Sequence, residues 1–226
     1  TGDLDIKSEG FKNTDGINTG GNISIDAGSG KFENANKLQA KGNDNFTSQG
    51  FLNNNEIVLG GKATINAGSG DVENKSFEAK DDIKITTTGN VKNTEKLNTS
   101  GKLDIKGKNF ENASGAEVVN KGTHITVTEG IKNDGNIEVT GDISLKGTGA
   151  NSKLDNTGNI KATDNGSIDI KGDLNNTGTL ATGKKLDIKA SSLTNKNTLQ
   201  AGEGLRAELT KNFSNDTNSK VLGGSI

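Results

Sequence analysis

The sequence predicts an all-β fold, a parallel β-helix (solenoid) of about eleven rungs of about 20 residues each. Three observations predict it. An apolar residue, any residue and then asparagine recur eleven times: Phe11/Asn13, Phe32/Asn34, Phe51/Asn53, Val72/Asn74, Val91/Asn93, Phe110/Asn112, Ile131/Asn133, Leu154/Asn156, Leu174/Asn176, Leu193/Asn195 and Phe213/Asn215. The asparagines stand 21, 19, 21, 19, 19, 21, 23, 20, 19 and 20 residues apart, and a period of this length marks a repeat architecture. Short runs that are apolar at alternate positions keep step with the triplet, and period two means extended chain. Finally, no stretch holds a 3.6-residue apolar rhythm, because glycine and asparagine interrupt every candidate helix.

Each unit opens on an alternating run, as in Leu4-Asp5-Ile6, Ile23-Ser24-Ile25, Ile83-Lys84-Ile85, Leu103-Asp104-Ile105, Ile143-Ser144-Leu145, Ile168-Asp169-Ile170 and Leu186-Asp187-Ile188. A polar turn leads to the apolar-x-asparagine triplet. A third apolar point follows, usually four residues later, at Ile17, Leu38, Ile57, Leu97, Ile137, Ile160, Leu180 and Leu199. Two or three short strands closing in about 20 residues have too little apolar surface to fold alone, so neighbouring units must stack. Eleven rungs advancing about 4.8 Å each give a rod of roughly 50 Å. The residues themselves allow right- or left-handed winding.

The asparagine lies two positions after an apolar residue, so in extended chain it points to the same side. Alone in a core it would be costly. Stacked on its equivalents at about 4.8 Å, each amide can donate to one neighbour and accept from the other. The alternative is a local turn, since asparagine also tolerates the left-handed conformation and bonds its own backbone. Both roles are architectural.

Along the chain, Asp44 stands where an apolar residue is expected, and a bulge or outward rotation is predicted there in preference to a buried charge. Glycine-rich corners at 26–30 and 66–70 share Ala-Gly-Ser-Gly and suggest an older two-rung unit. The fourth unit brings Phe77 to three residues after Asn74, and longer excursions occur at 113–119, 147–153 and 163–166. Such insertions emerge at one edge of a solenoid and are where a ligand contact would be sought. The chain opens in mid-pattern, contains no methionine and shows no amphipathic cap, so residues 1–226 are expected to form a single segment of a longer rod. Proline is absent, as suits a backbone whose donors engage the next rung.

Composition narrows the function. Hydrophobic residues are 28%, against roughly half, glycine included, in ordinary domains. Their registration with the period argues against disorder. A net charge of −2, from 27 basic and 29 acidic residues mixed along the chain, does not fit a nucleic-acid partner. Without cysteine, and with His124 as the single histidine, placed at the surface, the usual zinc sites cannot be assembled. No phosphate loop or Gly-Gly-x-Gly-x-Asp calcium series occurs, so no cofactor or metal is expected. A polysaccharide-cleaving β-helix would need clustered carboxylates on one exterior face. Asp104, Asp169 and Asp187 could stack but look like generic surface positions, and there is no tyrosine or tryptophan for a sugar platform. The expectation is no enzyme and no catalytic residue.

The units Gly-Lys-Leu-Asp-Ile-Lys…Phe-Glu-Asn (101–112) and Gly-Asp-Leu-Asn-Asn-Thr-Gly-Thr-Leu (172–180) resemble the filamentous-haemagglutinin-type repeats of two-partner-secreted exoproteins, over the whole chain. That family includes large bacterial adhesins and the stick proteins of contact-dependent growth inhibition. The resemblance implies a right-handed β-helix shaft, secreted to or displayed on the bacterial surface, a monomeric rod translocated by an outer-membrane transporter of the two-partner type. It also implies a function as structural shaft for a distal binding or toxic domain, with any cell-surface receptor met by the full-length protein. The alternative is a segment that binds glycan or protein directly.

Overall fold

The computed structural model describes residues 2–224. These residues form 28 strands and, among the described residues, no helix. They wind into eleven coils whose strands pair only with parallel neighbours, each coil on the next. A coil has three faces. In coil 2 they are Ile23–Asp26, Phe32–Asn34 and Leu38–Ala40. The second and third strands run together in coils 3, 4 and 5, as Phe51–Leu59, Val72–Ala79 and Val91–Thr99. In coils 6 and 7 it is the first and second that merge, as Lys102–Asn112 and Gly122–Asn133.

The winding follows from alternation at period two. On the first face Ile83 and Ile85 are buried while Lys84 between them is exposed, and the same parity holds in coil after coil. Inward residues therefore fall into vertical columns. One column begins with Phe11, Phe32 and Phe51, whose rings stack with centroids 5.3 and 4.5 Å apart, and continues as Val72, Val91, Phe110, Ile131, Leu154, Leu174 and Leu193. Phe46 enters from the first face edge-on to Phe32, at 5.0 Å. Each buried side chain of this size contributes about 1.5–3 kcal/mol of transfer free energy. A thin core thus suffices because it is shared with the coils on either side.

The glycine-rich corners of coils 2 and 4 turn alike. Gly28 and Gly68 turn with φ of 55° and 53°, in the region glycine enters without strain. The corner of coil 2 rests on Glu9, which accepts from the Ser29 hydroxyl at 2.6 Å; in coil 4, Gln49 accepts from Ser69 at 3.3 Å.

Two details differ from the sequence expectation. Asp44 is not rotated out: it lies on the strand Asp44–Thr47, pairs in register with Ile23 and Ala63, and is 1% exposed. The full strand pairing on both sides, and Phe46 two residues on packing against Phe32 and Phe51, hold the parity that turns it inward. In coil 9 the residues stacked on Leu186-Asp187-Ile188 are Gly166-Ser167-Ile168, not Ile168-Asp169-Ile170. A shift of two keeps every side chain on its own side of the sheet, so alternation alone cannot detect it. The methyl of Thr182 and the side chain of Leu186 crowd the space a Cβ at Gly166 would need. The early Phe77 is absorbed by a register shift between Asn74 and Ser76, which restores its stacking between Ile57 and Leu97.

The terminal coils are less covered than the rest. Leu4, Ile6, Phe11 and Ile17 are half-buried, and Phe213 is 53% exposed.

Candidate functional site: the asparagine column and the outer grooves

The triplet asparagines follow the buried apolar column by two residues, and the same parity turns them inward. Asn13, Asn34, Asn53, Asn74, Asn93, Asn112, Asn133, Asn156, Asn176 and Asn195 are all buried; Asn215, in the last coil, is exposed. Each Nδ2 donates to the Oδ1 of the asparagine in the next coil, from Asn13 to Asn215, at 2.7–2.9 Å. The second N–H of the same nitrogen meets a backbone carbonyl at the third strand of the next coil. These bonds run from 2.6 Å, Asn74 to Lys96, to 3.5 Å, Asn34 to Glu56. A carbonyl can only accept, so this contact fixes which end of each amide carries the nitrogen. All the amides point the same way along the rod, and hydrogen bonds chained in this sense polarise one another.

A second set of Asx residues, outside, was not singled out from the sequence. Asp71 Oδ1 accepts from the Asn90 backbone N–H at 2.7 Å, and Asn90 Oδ1 from Asn109 Nδ2 at 2.9 Å. At another corner Asp3, Asn22 and Asn43 receive the backbone N–H of Asn22, Asn43 and Lys62. Asp142 does the same for Asn165, and that bond, with one from the Asn165 amide, holds its carboxyl below the usual carboxylate range. These columns are interrupted by lysine and glycine, which hides them from a search for identical spacing.

The three irregular loops do not converge. Residues 113–119 turn from the second face to the third, 147–153 from the first to the second, and 163–166 from the third to the next coil's first. They occupy three different corners. Two outer grooves involve them. One, of about 670 Å³, is lined by Lys102, Lys121, Thr123, His124, Asp142 and Asp164 among others. The other, of about 410 Å³, holds Lys153, Lys171, Asp173 and Lys211 beside the 147–153 loop. His124 is exposed, with Nε2 3.1 Å from the Thr126 hydroxyl.

The acids do not form a catalytic pair. Asp104 and Asp187 share an outward column, but His124, Ser144 and Ser167 separate them, and Asp169 stands in the neighbouring column against Lys146 and Lys189. Among the described residues no group of three His, Asp or Glu side chains lies together in a way that could hold a metal ion. Outward charges alternate instead: Lys12 pairs with Glu33 at 2.9 Å and Lys92 with Glu111 at 3.6 Å across adjacent coils. Exposed pairs of this kind contribute about 0–1 kcal/mol each.

Compared with known families, the chain matches the haemagglutinin repeat over residues 1–95, 58–147 and 118–215. The chain belongs to the haemagglutinin repeat family. No curated protein and no solved structure matches it. In this haemagglutinin repeat protein the units set out above are the coils, and three overlapping matches take in ten complete coils and the asparagine column to its last member. The family and fold are those of a rod-like structural adhesin region, typical of secreted or surface proteins.

Proposed function

We propose that this chain is a shaft segment of a secreted bacterial surface adhesin or toxin-delivery filament, its coils extending a distal functional domain away from the cell. The observation that carries the reading is the unbroken column of ten asparagine–asparagine bonds, which ties every coil to the next along the whole length. Such a column resists separation of the coils and offers nothing to a ligand, because its donors and acceptors are spent on one another. The outer surface agrees with this reading, since charges of both signs alternate and the three irregular loops lie apart. In this reading the rod is monomeric, continues into further coils, and reaches the exterior through an outer-membrane transporter of the two-partner type. The half-covered apolar side chains of the terminal coils are the surfaces on which further coils would stack.

The grooves favour a second reading, in which the segment itself binds a glycan or protein. A glycan array and a cell-binding assay on residues 1–226 separate the two. The shaft reading expects binding only by longer chains that include the distal domain. Saturable binding by this segment, abolished by shortening loop 147–153 or by replacing Lys102 and Lys121, overturns it.

A further inference from the structure

Among the described residues Asp44 is the one ionisable side chain turned into the core, and nothing in the shaft reading requires it. Its column runs Leu4, Ile23, Asp44, Ala63, Ile83, so it replaces an aliphatic side chain between coils 2 and 4. The carboxyl has entered the backbone ladder. Leu4 and Asp44 donate their backbone N–H to the carbonyls of Asn22 and Lys62, at 2.9 and 2.8 Å, whereas the Ile23 N–H goes to Asp44 Oδ1 at 2.6 Å. The second oxygen, Oδ2, is buried and has no hydrogen-bond partner.

Among the described residues no cation pairs with the carboxyl. The strands paired with Asp44–Thr47 are Ile23–Asp26 and Ala63–Asn66, and the only other charged side chain on the three is Asp26. Asp26 is itself an acid, half-buried on the outward side, with Oδ1 taken by the Gly28 N–H at 3.0 Å. The lysines at the neighbouring corners, Lys41 and Lys62, are exposed, and neither forms an ion pair with Asp44. Above and below stand Ile23 and Ala63, and Phe46 follows on the same strand. A carboxylate with one N–H donor in such a place carries a penalty that its neutral acid escapes. Burial accordingly pushes the Asp44 carboxyl up to about 6, against the single pull of the Ile23 N–H.

We propose that coils 2–4 form a proton-operated joint: they pack as firmly as the rest of the rod when Asp44 is neutral, and the strand Asp44–Thr47 opens more readily when it is ionised. The sign follows from linkage. The folded value lies above the ordinary aspartate value of about 3.9, so closing the strand takes up a proton. Firm packing is complete below about pH 4, declines as pH rises toward 6, and is constant above that. The rod would therefore stiffen at coils 2–4 in mildly acidic surroundings and carry a soft point there at neutral pH.

Hydrogen exchange read by mass spectrometry on the whole chain tests this, with rates corrected for the intrinsic pH dependence of exchange. A peptide spanning residues 41–50 is expected to lose protection about 20-fold between pH 4.5 and pH 7.5, while one spanning 182–191 changes little. In Asp44→Asn and Asp44→Leu the pH dependence at 41–50 should vanish, with protection at pH 7.5 equal to or above that of the parent at pH 4.5. Equal protection of the parent peptide at the two pH values overturns the proposal. So does a pH dependence that survives in both variants, which would place the titrating group elsewhere.

Discussion

Asn90 and Asn93 lie three residues apart on the same coil and differ in almost everything but composition. Asn93 faces inward, fully buried, donating to Asn112 Oδ1 at 2.9 Å and to the Glu117 carbonyl at 3.1 Å while it accepts from Asn74. Asn90 faces outward at a corner, where its amide meets Asp71 and Asn109. Following the two columns along the rod shows what the difference means. The inner column is asparagine in all eleven coils. The outer one reads Asp71, Asn90, Asn109, Gly130, Lys153, Asp173 and Ser192 over coils 4 to 10. Water substitutes for a missing partner at the corner, so residue type can drift there. Inside, only a side chain with two donors and an acceptor at one end can serve both neighbours and the backbone at once.

The comparison can be broken most sharply by Asn93→Asp. A carboxylate cannot donate, and it would face the Asn112 Oδ1 and Glu117 carbonyl oxygens, so we expect a loss of about 3–5 kcal/mol at pH 7. Repulsion and burial would raise the new acid's pKa. Part of the loss is then recovered as pH falls through that raised value, which thermal unfolding followed by circular dichroism at pH 7 and pH 4.5 would detect. Asn93→Ala removes the amide without adding charge. It leaves one donor of Asn74 and the acceptor of Asn112 unpaired, at an expected cost of about 2–4 kcal/mol by the same measurement. Asp44→Asn should move the other way, stabilising at pH 7 by about 2 kcal/mol and by progressively less toward pH 4, since the parent acid is then neutral as well. The smallest effect is expected for Asn90→Ala, within about 0.5 kcal/mol. A cost there matching that of Asn93→Ala would mean that the outer columns carry as much of the rod as the inner one.

The sequence made the coil count and the asparagine positions readable because identical residues return at nearly identical intervals. What it could not convey was relational. The direction of the inner bonds depends on the carbonyls of the next coil, as for Asn53 and the Ser76 carbonyl, 23 residues on. The register of coil 9 was hidden because Ile168 and Ile170 offer the same alternation two residues apart, and the choice falls to packing around Gly166. Asp44 was expected outside because a buried charge is costly. That cost is real, but it is smaller than that of breaking parity in a strand gripped on both sides. The outer grooves are assembled from residues such as Lys102, His124 and Asp164, on three or more different coils, so no local motif announces them.

The uniform sense of the asparagine bonds has an evolutionary consequence. Because each coil presents an acceptor on one side and a donor on the other, removing the stretch from one asparagine to the next, such as 94–112, would let Asn93 meet Asn133 in the orientation the lost residue had. Duplicating such a stretch would likewise give every amide a partner in the same sense. Genetic recombination between repeats can therefore lengthen or shorten the reach of this protein in whole steps of about 4.8 Å without redesigning its interior.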